Sequence, residues 1–382
     1  MARGDTAVDA QWYARPQARS WRCEAPPAEP EWFHRSMPGY RPTPLVDYPP
    51  LASELGVGRV FVKDESSRLG LPAFKMLGAS WAVCRAIGAL APASRAPETL
   101  DALRAVRSRL GPLTLVTATD GNHGRAVARM ANLLDTDAQI FVPDVVDPAA
   151  VELIRAEGAK VSVLAEPYDT TVRRAAEFAT GQELTILVQD TSWVGYEEIP
   201  QWIVDGYSTL FREVDAQLER RSALPAGLVA VPTGVGSLAQ AAVTFCRSSR
   251  HQPAALLAVE PDSAACVTAS LQRGEPVSVE TGNTSMAGLN CGTPSSIAWP
   301  YLQQGIDAAV SVTDDQAAVA AHDLARGGVV AGPCGAATLA ALRTALLGRD
   351  GDLHREQLGL TPDSTVVLLS TEGAPPGDGT AA

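Results

Sequence analysis

Short β-branched runs and alanine-rich runs take turns along most of the chain, and this alternation limits the fold more than any other feature. The segments 59–63 (RVFVK), 113–119 (LTLVTAT), 138–142 (AQIFV), 160–164 (KVSVL), 185–189 (TILVQ), 227–232 (GLVAVP), 255–260 (ALLAVE) and 365–370 (TVVLLS) are short and apolar, as buried strands are. Between them lie GRAVARMANLL, TTVRRAAEFA, SLAQAAVTFC and QAAVAAHDLA, with helical spacing of their apolar residues. Strand and helix in alternation predict an α/β fold of parallel sheets covered by helices on both faces. At 382 residues, 46% of them hydrophobic, the chain is too large for one simple domain, and two lobes are expected.

Several function classes drop out early. No apolar run approaches the roughly 20 residues that cross a bilayer, so no membrane role is expected. The start, MARGDTAVDAQWYARPQARSWR, lacks a signal peptide's apolar stretch and cleavage site; a cytoplasmic location is the expectation. Lys plus Arg number 31 against 43 Asp plus Glu, a net charge of −12, with no basic cluster to track a phosphate backbone, so nucleic acid is not expected as a partner. The six cysteines and five histidines are scattered without metal-ligand spacing, which argues against a metal site. The tail, residues 374–382, is expected to be disordered.

In α/β folds the active residues gather beyond the carboxyl ends of the strands. Three such ends are chemically loaded: 113–119 runs into DGNHG, 227–232 into TGVGS and 365–370 into STEG. In the second, Gly234, Val235, Gly236 and Ser237 lie between strand and helix, where backbone N–H groups and the helix dipole suit a phosphate. The same residues fit GxGxxA, and the next strand ends in Glu260, so a nicotinamide dehydrogenase is a competing reading. A tight turn with no ligand is a third.

A further singular residue is Lys75, the one charge in LPAFKMLGAS. A lysine among apolar neighbours is paired, neutralised or chemically used. With its amine desolvated it is a nucleophile able to form a Schiff base with an aldehyde cofactor. Alternatively its stem lies on Phe74 and the amine reaches water.

Taken in order, FVKDESSRLGLPAFKMLGAS, TATDGNHGRAVA, VPTGVGSLAQ and LLSTEG resemble the fold type II pyridoxal-phosphate enzymes, the tryptophan synthase β-subunit-like group. Within it the chain most resembles the diaminopropionate ammonia-lyases, through KDESSRLGLPAFKMLGAS, TDGNHGR, VQDTSWVGYEEIPQWIVDGY, VEPDSAACV, MAGLNCGTPS and LLSTEG. These phrases reach from about residue 40 to 373.

The resemblance implies two αβα lobes with pyridoxal 5'-phosphate in the cleft: a large domain of 1–79 and 192–382, and a small mobile domain of 80–191. It implies a homodimer and a small amino-acid substrate, 2,3-diaminopropionate, converted to pyruvate and ammonia through an aminoacrylate. Lys75 would hold the cofactor and then take the Cα proton, with Gly78, Ala79 and Ser80 letting the cofactor approach. Asn122 would bond the cofactor's 3-oxygen, the amides of Gly234 to Ser237 its phosphate, and Ser370, or in second place Thr371, its pyridine nitrogen. A hydroxyl at that nitrogen favours prompt loss of a β-leaving group.

Asp120 would protonate the departing β-amine or take the Cα proton on the face opposite Lys75; the other reading is a helix cap. Asp190 would bind the substrate's second ammonium, or serve as a strand-end or cap acid. His123 is read as structural or as a rim residue near the phosphate. Cys266 and Cys291 would lie near each other, either bridged or as two buried thiols.

Three phrases depart from the family pattern. AGPCGAA carries Pro333 and Cys334 where an acid and a serine are expected, NCGTP carries Asn290 and Thr293, and WVGY carries Val194. These losses leave open a dehydratase for serine, threonine or hydroxyaspartate, or a β-replacement synthase. A nicotinamide dehydrogenase or a non-catalytic binding protein remains the reading from another class.

Overall fold

The computed structural model describes residues 12–25, 29–91, 97–248 and 253–374; beyond residue 374, the expectation for the tail falls outside them. The described strands are β1 (Trp12–Ala14), β2 (Leu45–Asp47), β3 (Arg59–Asp64), β4 (Thr114–Ala118), β5 (Asp137–Pro143), β6 (Lys160–Leu164), β7 (Thr185–Leu187), β8 (Ala226–Pro232), β9 (Ala255–Pro261), β10 (Ala308–Val312) and β11 (Thr365–Ser370). They form a seven-stranded sheet, β1-β10-β9-β8-β11-β3-β2, and a four-stranded one, β6-β5-β4-β7. The large sheet thus draws on both ends of the chain and the small one on its middle.

All eight strands expected from the pattern are present. Every residue of β9 and β11 is buried, which is why they read as continuous apolar runs. The expectation of purely parallel sheets needs a correction, because β1 and β2 pair antiparallel with β10 and β3. Both are three-residue edge strands, too short to print a period, and short edges leave little backbone open to stray pairing. In β10 (AAVSV) alanine and serine replace most of the β-branched signal.

The helix Lys75–Ala89 packs tightly along the helix Glu198–Arg220. A Cβ on Gly206 would lie 2.5 Å from Leu77 O, and one on Gly78 would lie 2.6 Å from the Tyr207 ring. The small residues after Lys75 therefore serve helix contact, and the reading of Gly78 as room for a cofactor is corrected: Tyr207 and Ile203 fill that space. Buried His34 braces the same turn, its Nε2 donating to Leu77 O at 3.0 Å while Nδ1 accepts from Thr209 Oγ1 at 2.8 Å. Burial, with Arg68 nearby, lowers its pKa to about 3, so the ring is neutral.

Under this helix pair lies a buried ionic cluster. Glu213 accepts from Lys63 Nζ at 2.7 Å and from both Arg68 terminal nitrogens at 2.7 and 2.8 Å, and Glu65 takes the rest of the Arg68 fork. Two cations meet two carboxylates, with Thr43, Tyr40 and Gln217 completing the hydrogen bonds. The cluster pins the end of β3 and the loop that leads to Lys75.

The dehydrogenase reading loses its acid. Glu260 is fully buried and accepts from Val267 N and Thr268 N at 2.7 Å and from Thr268 Oγ1 at 2.6 Å. It caps a helix start from within, and no ribose could reach it.

Candidate active site

The chain contains three lysines, Lys63, Lys75 and Lys160. Lys63 is locked in the buried cluster, and Lys160 is exposed on β6, at an edge of the small sheet. Only Lys75 stands where the loaded strand ends meet. It opens its helix because the preceding loop is tied to the segment after β11: Phe74 N donates to Thr371 O at 3.1 Å and Gly373 N to Pro72 O at 2.9 Å. Since β3 and β11 are neighbours in the large sheet, the loop that leads to Lys75 lies against the segment that follows Ser370.

From the small sheet come two aspartates, each beyond the carboxyl end of one of the paired strands β4 and β7. Asp190 Oδ2 accepts from Lys75 Nζ at 2.7 Å. The strand-end acid is therefore an ion-pair partner, and the helix-cap reading of Asp190 is not what the structure shows. Burial works against both charges, yet attraction wins: the Lys75 ammonium is held above its ordinary pKa and the Asp190 carboxyl below its own. The expectation of a desolvated, already nucleophilic amine is thus corrected, because Asp190 keeps it protonated.

Asp120 also proves not to be a cap. Thr119 does that work, its Oγ1 accepting from Gly121 N at 2.9 Å and Gly124 N at 3.0 Å. A Cβ on Gly124 would sit 2.3 Å from Thr119 Cγ2, so the GNHG turn closes on the threonine and leaves the aspartate free. Burial raises the Asp120 carboxyl to about 6, with Lys75 pulling it down and Asp190 and Glu372 pushing it up.

The glycine loop follows β8, the other neighbour of β11. Gly236 turns with φ 101° into the helix Ser237–Arg247, which has no side-chain cap, so its first amides have no intrahelical acceptor. Ser237 donates its hydroxyl to Asp190 O at 2.9 Å; what it can offer a phosphate is its amide. Close approach explains Gly234, whose Cβ would lie 3.0 Å from both Cys291 Sγ and Gly288 O.

Does this set fit pyridoxal phosphate? Ser370 is completely buried, and its Oγ has no protein partner. Such an orphan costs about 1–3 kcal/mol unless a further group meets it. Helix Pro333–Leu347 comes so close that a Cβ on Gly335 would lie 3.0 Å from that oxygen. A hydroxyl awaiting an acceptor, one amine, and uncapped helix amides for a phosphate suit the cofactor. Thr371 is buried beside it and binds Phe74 through its backbone.

Sequence reasoning missed several neighbours. Glu372, two residues beyond β11, accepts from Asn122 Nδ2 at 2.6 Å. Tyr207 sits under Lys75 with its ring 4.7 Å from that of Phe74 and its buried hydroxyl unpartnered. Tyr168 accepts from Gln189 Nε2 at 3.1 Å, near both aspartates. Each lay inside or beside a quoted phrase, but no spacing rule assigns it a partner. His123 is buried, its Nε2 donating to Val188 O at 2.7 Å, so it is structural and not a rim residue. Cys266 and Cys291 are both free, on either side of Gly234.

The chain's residues 37–372 match the family of pyridoxal-phosphate dependent enzymes. Among curated proteins it is 35% identical over 350 residues to the diaminopropionate ammonia-lyase of Escherichia coli K12, covering 89% of this chain and 86% of that one. The solved Escherichia coli enzyme in complex with D-serine superposes with a TM-score of 0.85 at 31% identity, over 96% of this chain and 94% of the other. The same enzyme with an aminoacrylate-PLP azomethine reaction intermediate gives 0.82 over 95% and 93%. Lysine, aspartates, orphan hydroxyl and glycine loop therefore stand on a scaffold shared with these enzymes, and the chain belongs to the diaminopropionate ammonia-lyase family of fold type II pyridoxal-phosphate enzymes.

Proposed function

We propose that the protein removes the β-amino group of 2,3-diaminopropionate and releases pyruvate and ammonia. One observation carries the reading: two carboxylates flank the single site lysine in opposite protonation regimes, Asp190 held ionised and Asp120 titrating near 6. Such a split is how one site supplies a counter-charge and a proton carrier together.

Pyridoxal phosphate, when bound, acidifies the Cα–H of an amino acid and accepts the electron pair left behind. Lys75 would hold it, with Asn122 at its 3-oxygen, the amides of Gly234, Val235, Gly236 and Ser237 at its phosphate, and Ser370 at its ring nitrogen. Lys75 Nζ would lose its extra proton in binding the cofactor and, freed as a neutral amine when the substrate's amine takes its place, would take the Cα proton on its own side. Asp120 gives its carboxyl proton to a β-nitrogen that arrives as the neutral amine, whereas one held as ammonium leaves as ammonia without it; for the opposite enantiomer Asp120 takes the Cα proton. Asp190, once Lys75 no longer occupies it, receives the substrate's second ammonium; its hold on Lys75 supports this, since an ammonium already sits there.

In this proposal residues 80–191 form a small mobile domain that closes on the large domain, 1–79 and 192–382, and excludes water. The working unit is a cytoplasmic homodimer, as the family resemblance suggests. A second reading, a different β-substituted amino acid, is favoured by Pro333 and Cys334, which stand where the family pattern has an acid and a serine, the Cys334 thiol lying by Gly288 near Asp120.

Purified protein mixed with pyridoxal phosphate should turn yellow and form pyruvate from diaminopropionate faster than from serine, threonine or hydroxyaspartate. Colourless protein would overturn the cofactor assignment. Colour without pyruvate would overturn only the substrate, and a new amino acid formed on adding a second nucleophile would indicate β-replacement.

A further inference from the structure

Glu372 is the carboxylate in the site to which the reaction assigns no task. Its backbone is fixed on two sides: Gly332 N donates to Glu372 O at 2.9 Å, and Ala73 forms a bridge with it. A Cβ on Gly332 would fall 2.8 Å from Glu372 Cγ, so the segment 331–334 is packed against the side chain as well. Its carboxylate accepts from Asn122 Nδ2 at 2.6 Å through Oε2 and from Cys334 N at 3.4 Å through Oε1. Among the described residues no Lys, Arg or His comes within ion-pair distance of it.

An amide group is nearly symmetric in shape and wholly asymmetric in chemistry. Left alone, the Asn122 side chain could present either its oxygen or its nitrogen to a neighbour. Burial raises the Glu372 carboxyl, while its hydrogen bonds from Cys334 and Asn122 and the nearby charge of Lys75 favour the ionised form; ionised, it accepts and does not donate, so its contact requires the amide nitrogen on that side. The nitrogen has two hydrogens, and only one is used. The bond also spans the cleft, from the second residue after β11 of the large sheet to the first turn of the helix after β4 of the small sheet. Orientation of the amide is therefore set by the opposite wall.

We propose that Glu372 is a positioning residue that sets the Asn122 amide so that its second N–H faces the cofactor's 3-oxygen. The proposal rests on the cofactor assignment above and is independent of the substrate. An N–H held on that oxygen favours its ionised form, so the visible absorbance of the loaded enzyme, titrated with pH, reports the contact directly.

The test is a double-mutant cycle on cofactor-loaded protein. Glu372→Ala should move the midpoint of the absorbance titration by about one pH unit and weaken pyridoxal phosphate binding roughly tenfold. Glu372→Gln, which keeps an acceptor without the obligation to accept, should do less. In an Asn122→Ala background, Glu372→Ala should add no further shift, since the two residues act through one contact. An unchanged midpoint in Glu372→Ala, or an equal shift with and without Asn122, would overturn the proposal. If Glu372→Ala fails to fold, an unchanged midpoint and unchanged cofactor affinity in Glu372→Gln overturn it alone. Wild-type colour without pyruvate would leave this result standing and remove only the substrate.

Discussion

Asp120 and Asp190 show how little a residue's type says about its charge. Both are acids beyond the ends of paired strands, yet the Asp190 carboxyl is held low because, against the opposing effect of burial, Lys75 lies 2.7 Å away. Asp120 has no such contact; burial raises its carboxyl to about 6, and the partial pull of Lys75 is countered by Asp190 and Glu372. The sign of its pH dependence follows. A carboxyl with a raised pKa is protonated below about pH 6 and ionised above it, so its use as a base appears as pH rises through that point. Turnover of D-diaminopropionate should therefore fall as pH drops below about 6, and Asp120→Asn should cut it by about 10²–10⁴. Measuring kcat/KM for both enantiomers from about pH 5 to 8 checks this. If both react as in wild type, Asp120 has no such role.

Two helices decide where the lysine stands. Lys75 begins one of them, and Gly206 of the other lies so close that backbone meets backbone at Leu77 O. A methyl group there finds a carbonyl that has no flexible end to move aside. Gly206→Ala should lower the unfolding free energy by about 1–3 kcal/mol and weaken cofactor binding, because the displaced turn carries Lys75. Urea denaturation and an absorbance titration with pyridoxal phosphate would read both effects, and a variant as stable as wild type would show that the helices can part without cost.

For the molecule as a whole, the buried cluster ties the large sheet to the site. Glu213 faces Lys63 and Arg68 with almost no solvent access. Glu213→Gln should cost about 3–5 kcal/mol, since two buried cations then share the remaining carboxylate; a urea midpoint shift worth less than about 1 kcal/mol would show the cluster tolerates the loss.

How much of this was readable before folding depends on range. Eight strands were legible because a buried strand leaves a local apolar run, and Lys75, Asn122, Gly234 to Ser237 and Ser370 could be proposed as cofactor residues because binding motifs keep residue types at fixed offsets from strand ends. Edge strands β1 and β2 were not, being three residues long. Nor were the partners: Lys75 and Asp190 are 115 residues apart, and Asn122 and Glu372 are 250 apart. Periodicity and motif order travel with the chain, so they settled the α/β class and the family, and they named the residues proposed to touch a cofactor. Protonation, helix contact and amide orientation depend on distances of a few ångströms between segments that only folding brings together. That is why the tertiary structure, and not the order of residues, placed Lys75 in an ion pair and gave Thr119 the capping task that was the alternative reading of Asp120.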